Sequence, residues 1–222
     1  MATDMSSTGR MRLMQPKYML FAVYTVLMVV VWMTRDRFLL DSNSFLYQRY
    51  AAIPMLMLLH GVPGALALIL GVFQFSSRLR QRHLRVHRVM GRIYVASVLI
   101  AAPAAVVVSI KLPTPTLTMA SVIQAAGWVI ATLTALYCVR TGKIQQHREW
   151  MMRSYPFAMV FVFVRAIVAI PAIQRMGVMG LAEVVWSVIA VACFLPSFLI
   201  EWQHLAASQR TAKVRAASTG TP

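Results

Sequence analysis

Acidic residues are nearly absent. Of 222 residues only 6 are Asp or Glu, and charged residues of both signs make up 13% of the chain. A soluble domain carries about a quarter charged residues, so a water-soluble globule with a polar skin is excluded. With so few carboxylates there is no pair for general acid–base work, and no series of them to relay protons through a pump. A Ser/His/Asp set and a Gly-rich phosphate loop are missing as well. The two cysteines, Cys138 and Cys193, lie in apolar stretches without metal-ligand spacing. They read as inert packing residues and say nothing about redox compartment.

What fills the chain instead is apolar. Hydrophobic residues reach 59% and mean hydropathy is +0.66, the signature of an integral membrane protein. Six segments are long enough to cross a bilayer, which takes about 20 residues. They fall near Tyr18–Thr34, Ala52–Phe75, Val89–Ile110, Leu117–Val139, Trp150–Ile173 and Leu181–Ile200. No alternating ten-residue pattern is present, and an open sheet cannot satisfy its backbone in lipid. The expected fold is therefore all-α, a polytopic six-transmembrane-helix bundle over residues 18–200. Residues 1–17 form a flexible basic amino terminus, and residues 201–222 a flexible Ser/Thr/Ala-rich tail. The first span ends in Trp32-Met33-Thr34-Arg35 with no small-residue cleavage site, which reads as a retained anchor rather than a signal peptide.

Lys and Arg number 22, giving a formal net charge of +16. These residues lie in short runs between apolar segments, without interleaved aromatics, so a topology signal explains them better than nucleic acid does. Sixteen fall on the side of the two termini, chiefly in Arg78–Arg92 and Arg140–Arg153, and five on the other. Arg165 lies within a span. Both termini are thus expected in the cytoplasm, with the arginines facing anionic lipid headgroups. The partner implied is the bilayer itself; nothing in the sequence names a protein partner.

Ionisable groups inside a membrane are costly and therefore informative. An outer layer holds His60, Gln124, Arg165 and Glu183, the first three roughly 10–12 Å below the outer surface at about 1.5 Å of rise per residue. It reads either as a polar pocket or as an Arg165–Glu183 pair with His60 bonded to a neighbouring helix. An inner layer contains His83-Leu84-Arg85-Val86-His87-Arg88-Val89-Met90-Gly91-Arg92 and His147-Arg148-Glu149-Trp150-Met151-Met152-Arg153. Arginines with Trp are what any cytoplasmic interface displays, but histidine is not a topology residue. Two neutral imidazoles on facing helices can ligate a haem iron, with arginines pairing its propionates. His87 and His147 are the expected ligands of one haem b, with Arg92 and Arg153 as propionate partners, while His60 and Arg165 shape the outer pocket. Gly91 and Gly64 could let a flat macrocycle near the backbone, or Gly64 could serve helix packing together with Gly71. The alternative is a cofactor-free protein that binds or moves a small molecule or lipid, or a structural subunit of a membrane complex.

The run His60-Gly61-Val62-Pro63-Gly64 through Gly71-Val72-Phe73-Gln74-Phe75, with Arg78…His87-Arg88…Gly91-Arg92-Ile93-Tyr94, resembles a bacterial family of predicted membrane proteins, domain of unknown function 2306. His147-Arg148-Glu149-Trp150-Met151-Met152-Arg153-Ser154-Tyr155 fits it too, so the likeness covers about residues 50 to 175. It implies an architecture and no established activity. More distantly the pattern is similar to the transmembrane b-type cytochromes that ascorbate reduces. In these a four-helix core carries two haems held by histidines on alternate helices. That resemblance implies the His87/His147 pair and electron transfer at the cytoplasmic side. The span containing Gln124 has no histidine, so a second haem site is not matched.

Overall fold

Proline and glycine punctuate the chain. A computed structural model describes residues 52–111 and 115–219, with side chains through 209. The expected first span, Tyr18–Thr34, and the basic amino-terminal segment lie outside the described residues. The helices are α1 (Pro54–Gln74), α2 (Ser77–Arg82), α3 (Leu84–Ile110), α4 (Pro115–Arg140), α5 (Ile144–Val168), α6 (Pro171–Arg175) and α7 (Gly177–Thr219). No strand occurs among the described residues. Pro54, Pro115 and Pro171 each occupy a first helical position, where the missing N–H costs nothing. Gly142, at φ 77, ends α4 in a paired cap: its own N–H reaches Val139 O at 3.4 Å and the Lys143 N–H reaches Cys138 O at 2.9 Å. Ser76 starts α2 by accepting the Leu79 N–H at 3.2 Å.

Five of these helices, α1, α3, α4, α5 and α7, are long and apolar enough to cross a membrane. They correspond to the second through sixth expected spans, with shifted ends. The fifth was expected to run to Ile173, but α5 stops at Val168. Ile170 precedes a proline and is driven to an extended conformation (ψ 126), so the remainder forms the separate turn α6. At the carboxyl end α7 continues through Thr219, past Ile200, where the expected bundle ends. No Gly or Pro intervenes before Gly220, and the alanines there favour helix over coil.

α1, α3, α4 and α5 form a ring in chain order. α1 packs on α3, α3 on α4 and α4 on α5, while a smaller α1–α5 contact closes the circle. α3 and α5 therefore face each other across the diagonal, and α7 packs outside the ring against α5 and α4. Small residues allow the approach: Ala67, Ala101, Ala120 and Ala135 are fully buried. In lipid the association of helices relies on such close packing and on interhelical hydrogen bonds. The outward surface is apolar to a degree no aqueous surface tolerates, with Phe194 75% and Met55 68% exposed.

Gly71 of α1 packs rather than opening a slot. A Cβ on Gly71 would collide with the Tyr155 ring, and one on Gly64 would sit 4.0 Å from the Ala101 Cβ. Gly71 thus sets how closely α1 approaches the bundle, the second of the two roles expected, whereas Gly64 has room for a methyl.

Candidate functional site

Polar side chains inside the bundle fall into three levels. The middle one joins the ring helices. Thr132 donates to the carbonyl of Trp128 at 2.7 Å, as a hydroxyl one turn on can do. With that proton spent, Thr132 accepts from Ser154 at 2.7 Å, Ser154 accepts from Tyr94 at 2.9 Å, and Tyr94 accepts from Trp128 Nε1–H at 3.2 Å. The circuit closes on Trp128 and ties α3, α4 and α5. Tyr94, Thr132 and Ser154 are all fully buried, so every buried donor in the loop has an acceptor. Beside it Tyr155 donates to the Leu68 carbonyl at 3.0 Å and holds α5 against α1. Trp128 and Thr132 were not singled out by sequence reasoning; hydroxyls buried within an apolar span were the available signal.

At the level expected to be outer, His60, Gln124 and Arg165 line one cavity of about 440 Å³ with Trp128 and residues of α3 and α7. His60 donates from Nδ1 to the Ala101 carbonyl at 3.1 Å, which leaves Nε2 for other contacts. Gln124 donates from Nε2 to the Phe157 carbonyl at 3.1 Å, which leaves its oxygen. The Arg165 guanidinium lies 4.3 Å from the Phe161 ring centroid. Because α5 ends at Val168, Arg165 occupies the last helical turn, where a cation is favoured by the helix dipole. Its expected position eight residues from the end of the span is corrected to three. Glu183 is exposed and lines a different cleft with Thr116 and Trp186, so it does not share the cavity with Arg165.

The level expected to be inner contains the bundle's unsatisfied groups. Among the described residues, two buried side-chain atoms have no hydrogen-bond partner: His87 Nδ1 and Gln74 Nε2. They belong to one neighbourhood. The Gln74 Oε1 atom is 3.4 Å from where a Cβ of Gly91 would stand, and Gly91 follows His87 by one turn of α3. A buried polar atom without a partner costs about 1–3 kcal/mol, which a ligand supplying the bond would recover. His147, across the ring on α5, donates from Nδ1 to the Ala135 carbonyl at 2.9 Å. That bond fixes its tautomer and leaves Nε2 as a lone-pair donor, the usual orientation of a metal-ligating imidazole. His147, Arg80 and Arg88 are near enough for their charge to act on His87.

The expected arginines do not converge on this pair. Arg92 is exposed. Arg153 turns toward α7, donating to Ser197 at 3.3 Å with its guanidinium 5.0 Å from the Trp150 ring centroid. Placement on α3 explains the first: position 92 is one residue past the buried face of His87 and Gly91. Six residues separate His147 from Arg153, which puts them on different faces of α5. No group of three or more His, Cys, Asp or Glu residues able to hold a metal ion occurs among the described residues. The donor set is thus two imidazoles on diagonal helices, one already oriented and one with an unmet buried nitrogen. Two imidazoles are fewer than the four ligands of a tetrahedral metal centre.

Fold and layers together define a multi-pass helical membrane protein with polar groups inside its bundle. The family of predicted membrane proteins DUF2306 matches residues 57–204, and the chain belongs to that family. No curated protein and no solved structure matches. The likeness to b-type cytochromes accordingly rests on the sequence pattern alone.

Proposed function

We propose that this protein crosses a bacterial inner membrane six times with both termini in the cytoplasm, and binds one haem b at its inner polar level. His87 and His147 would hold its iron. The observation that carries this reading is the partnerless buried His87 Nδ1, in one neighbourhood with the partnerless Gln74 Nε2, on a helix diagonal to an α5 imidazole whose own Nδ1 is already engaged. When bound, the haem would supply one-electron redox chemistry. The chain's residues orient and neutralise. Ala135 O holds the His147 ring in one tautomer, Gln74 offers a hydrogen bond to a polar edge of the ligand, and the half-buried Arg80, with Arg88, lies near enough to His87 to offset propionate charge. Sixteen basic residues on the side of the termini support the orientation and a cytoplasmic face in contact with anionic headgroups.

The test is spectroscopic. Protein expressed with adequate haem and purified in detergent should show a sharp low-spin band pair on dithionite reduction, absent from His87→Ala and His147→Ala. A folded, colourless preparation overturns the reading.

A further inference from the structure

The cavity at the opposite end of the bundle has an uneven set of hydrogen-bonding groups. Its volume of about 440 Å³ falls within the range of about 300–1,000 Å³ found for small-molecule sites. Its wall is mostly aliphatic and aromatic, drawn from five helices, so the greater part of any occupant must be apolar. The polar part of the wall has spent most of its protons. His60 gives its Nδ1–H to the Ala101 carbonyl at 3.1 Å, and the neutral ring then carries a bare lone pair at Nε2. Gln124 gives one amide N–H to the Phe157 carbonyl at 3.1 Å and keeps its oxygen and a second N–H. Ser109 donates to the Val106 carbonyl at 2.7 Å and Ser121 to the Leu117 carbonyl at 2.9 Å, so each has only lone pairs left. Trp128 N–H is committed to Tyr94 at 3.2 Å. Arg165 stands on the same wall with its guanidinium engaged, 4.3 Å from the Phe161 ring centroid. Beside that engaged cation, the spare groups are mostly acceptors: the His60 nitrogen, the Gln124 oxygen and the serine oxygens, against a single amide N–H.

We propose that this cavity binds an apolar molecule headed by a neutral hydroxyl, which donates its O–H to the His60 Nε2 lone pair while the aliphatic wall encloses the body. A hydroxyl both donates and accepts, so it also suits the spare oxygen and N–H of Gln124. An occupant that only accepts, such as an ether, a ketone or a carboxylate, would displace water from His60 Nε2 and leave that nitrogen without a donor. The site is independent of the haem reading and involves none of its residues.

The experiment uses the full chain in nanodiscs of zwitterionic lipid, titrated with labelled decanol against a background of empty nanodiscs. The comparison ligand is decyl methyl ether, which keeps the apolar body and the oxygen and lacks the proton. Decanol should bind saturably and about fivefold more tightly than the ether, the worth of one neutral hydrogen bond. His60→Asn replaces the ring with a shorter amide that can still donate to the Ala101 carbonyl, and it should bring decanol down to the affinity of the ether. Ala105→Phe, which fills the cavity and keeps His60, should remove binding of both ligands and covers the case in which His60→Asn does not fold. Equal affinity for decanol and the ether overturns the proposal. So does a preference for decanol that survives in a folded His60→Asn, or decanol binding that persists in Ala105→Phe. Decanoate binding more tightly than decanol overturns it too, and would assign the cavity to carboxylates.

Discussion

The Tyr94 hydroxyl donates to Ser154 across the diagonal of the bundle at 2.9 Å, and this one bond links the two helices that carry His87 and His147. Its direction is set remotely, by Thr132 spending its proton on the Trp128 carbonyl. Tyr94→Phe leaves the indole N–H and Ser154 each short of a partner. Thermal denaturation in detergent should show a loss of about 1 kcal/mol, typical of such bonds between membrane helices. Thr132→Val should cost a similar amount, and the double variant less than the sum, since both break one circuit.

Gly71 and Gly64 separate two uses of glycine in one helix. Gly71→Ala drives a methyl into the Tyr155 ring and should destabilise by about 1–3 kcal/mol, as overpacking does. Gly64→Ala finds ordinary contact with Ala101 and should be neutral or gain up to about 1 kcal/mol from helix propensity. The pair of melting curves decides it: equal shifts would refute the packing described for Gly71.

His83 offers an internal control for the haem reading. It caps α3 without a side-chain hydrogen bond, so His83→Ala should keep the full absorbance that His87→Ala and His147→Ala lose. Loss in all three would point to a shared folding defect rather than to ligation.

Topology has its own readout. A periplasm-active reporter fused after Arg215 should be silent, and the same reporter after Lys111, in the α3–α4 connection, should be active. The opposite pattern reverses the orientation inferred from the arginines.

Much of this architecture could be read from the chain. Five spans were legible because twenty apolar residues have few other uses. Counting along helices of alternating direction put His60, Gln124 and Arg165 at one end of the bundle, where they line one cavity, although α5 ends five residues sooner than the count assumed. Helix ends were less legible. The α5 terminus depends on what Pro171 does to Ile170, a local steric effect that hydropathy does not register. Rotation about each axis was not legible at all, which is why Arg92 was expected beside His87 and is found exposed, and why Arg153 was expected at the same site and is found turned toward α7. Gln74 was quoted within a motif and given no role. A lone amide closing an apolar span was the clue to it.

The final helix is longer than any membrane requires. Its 43 residues extend about 65 Å against a hydrocarbon thickness of about 30 Å. Glu149, at the base of α5, grips it through His204 at 3.1 Å. Beyond His204 the helix runs on for about 22 Å to Thr219, so a neighbour engaging its tip would meet the protein about 2 nm from the Glu149 contact.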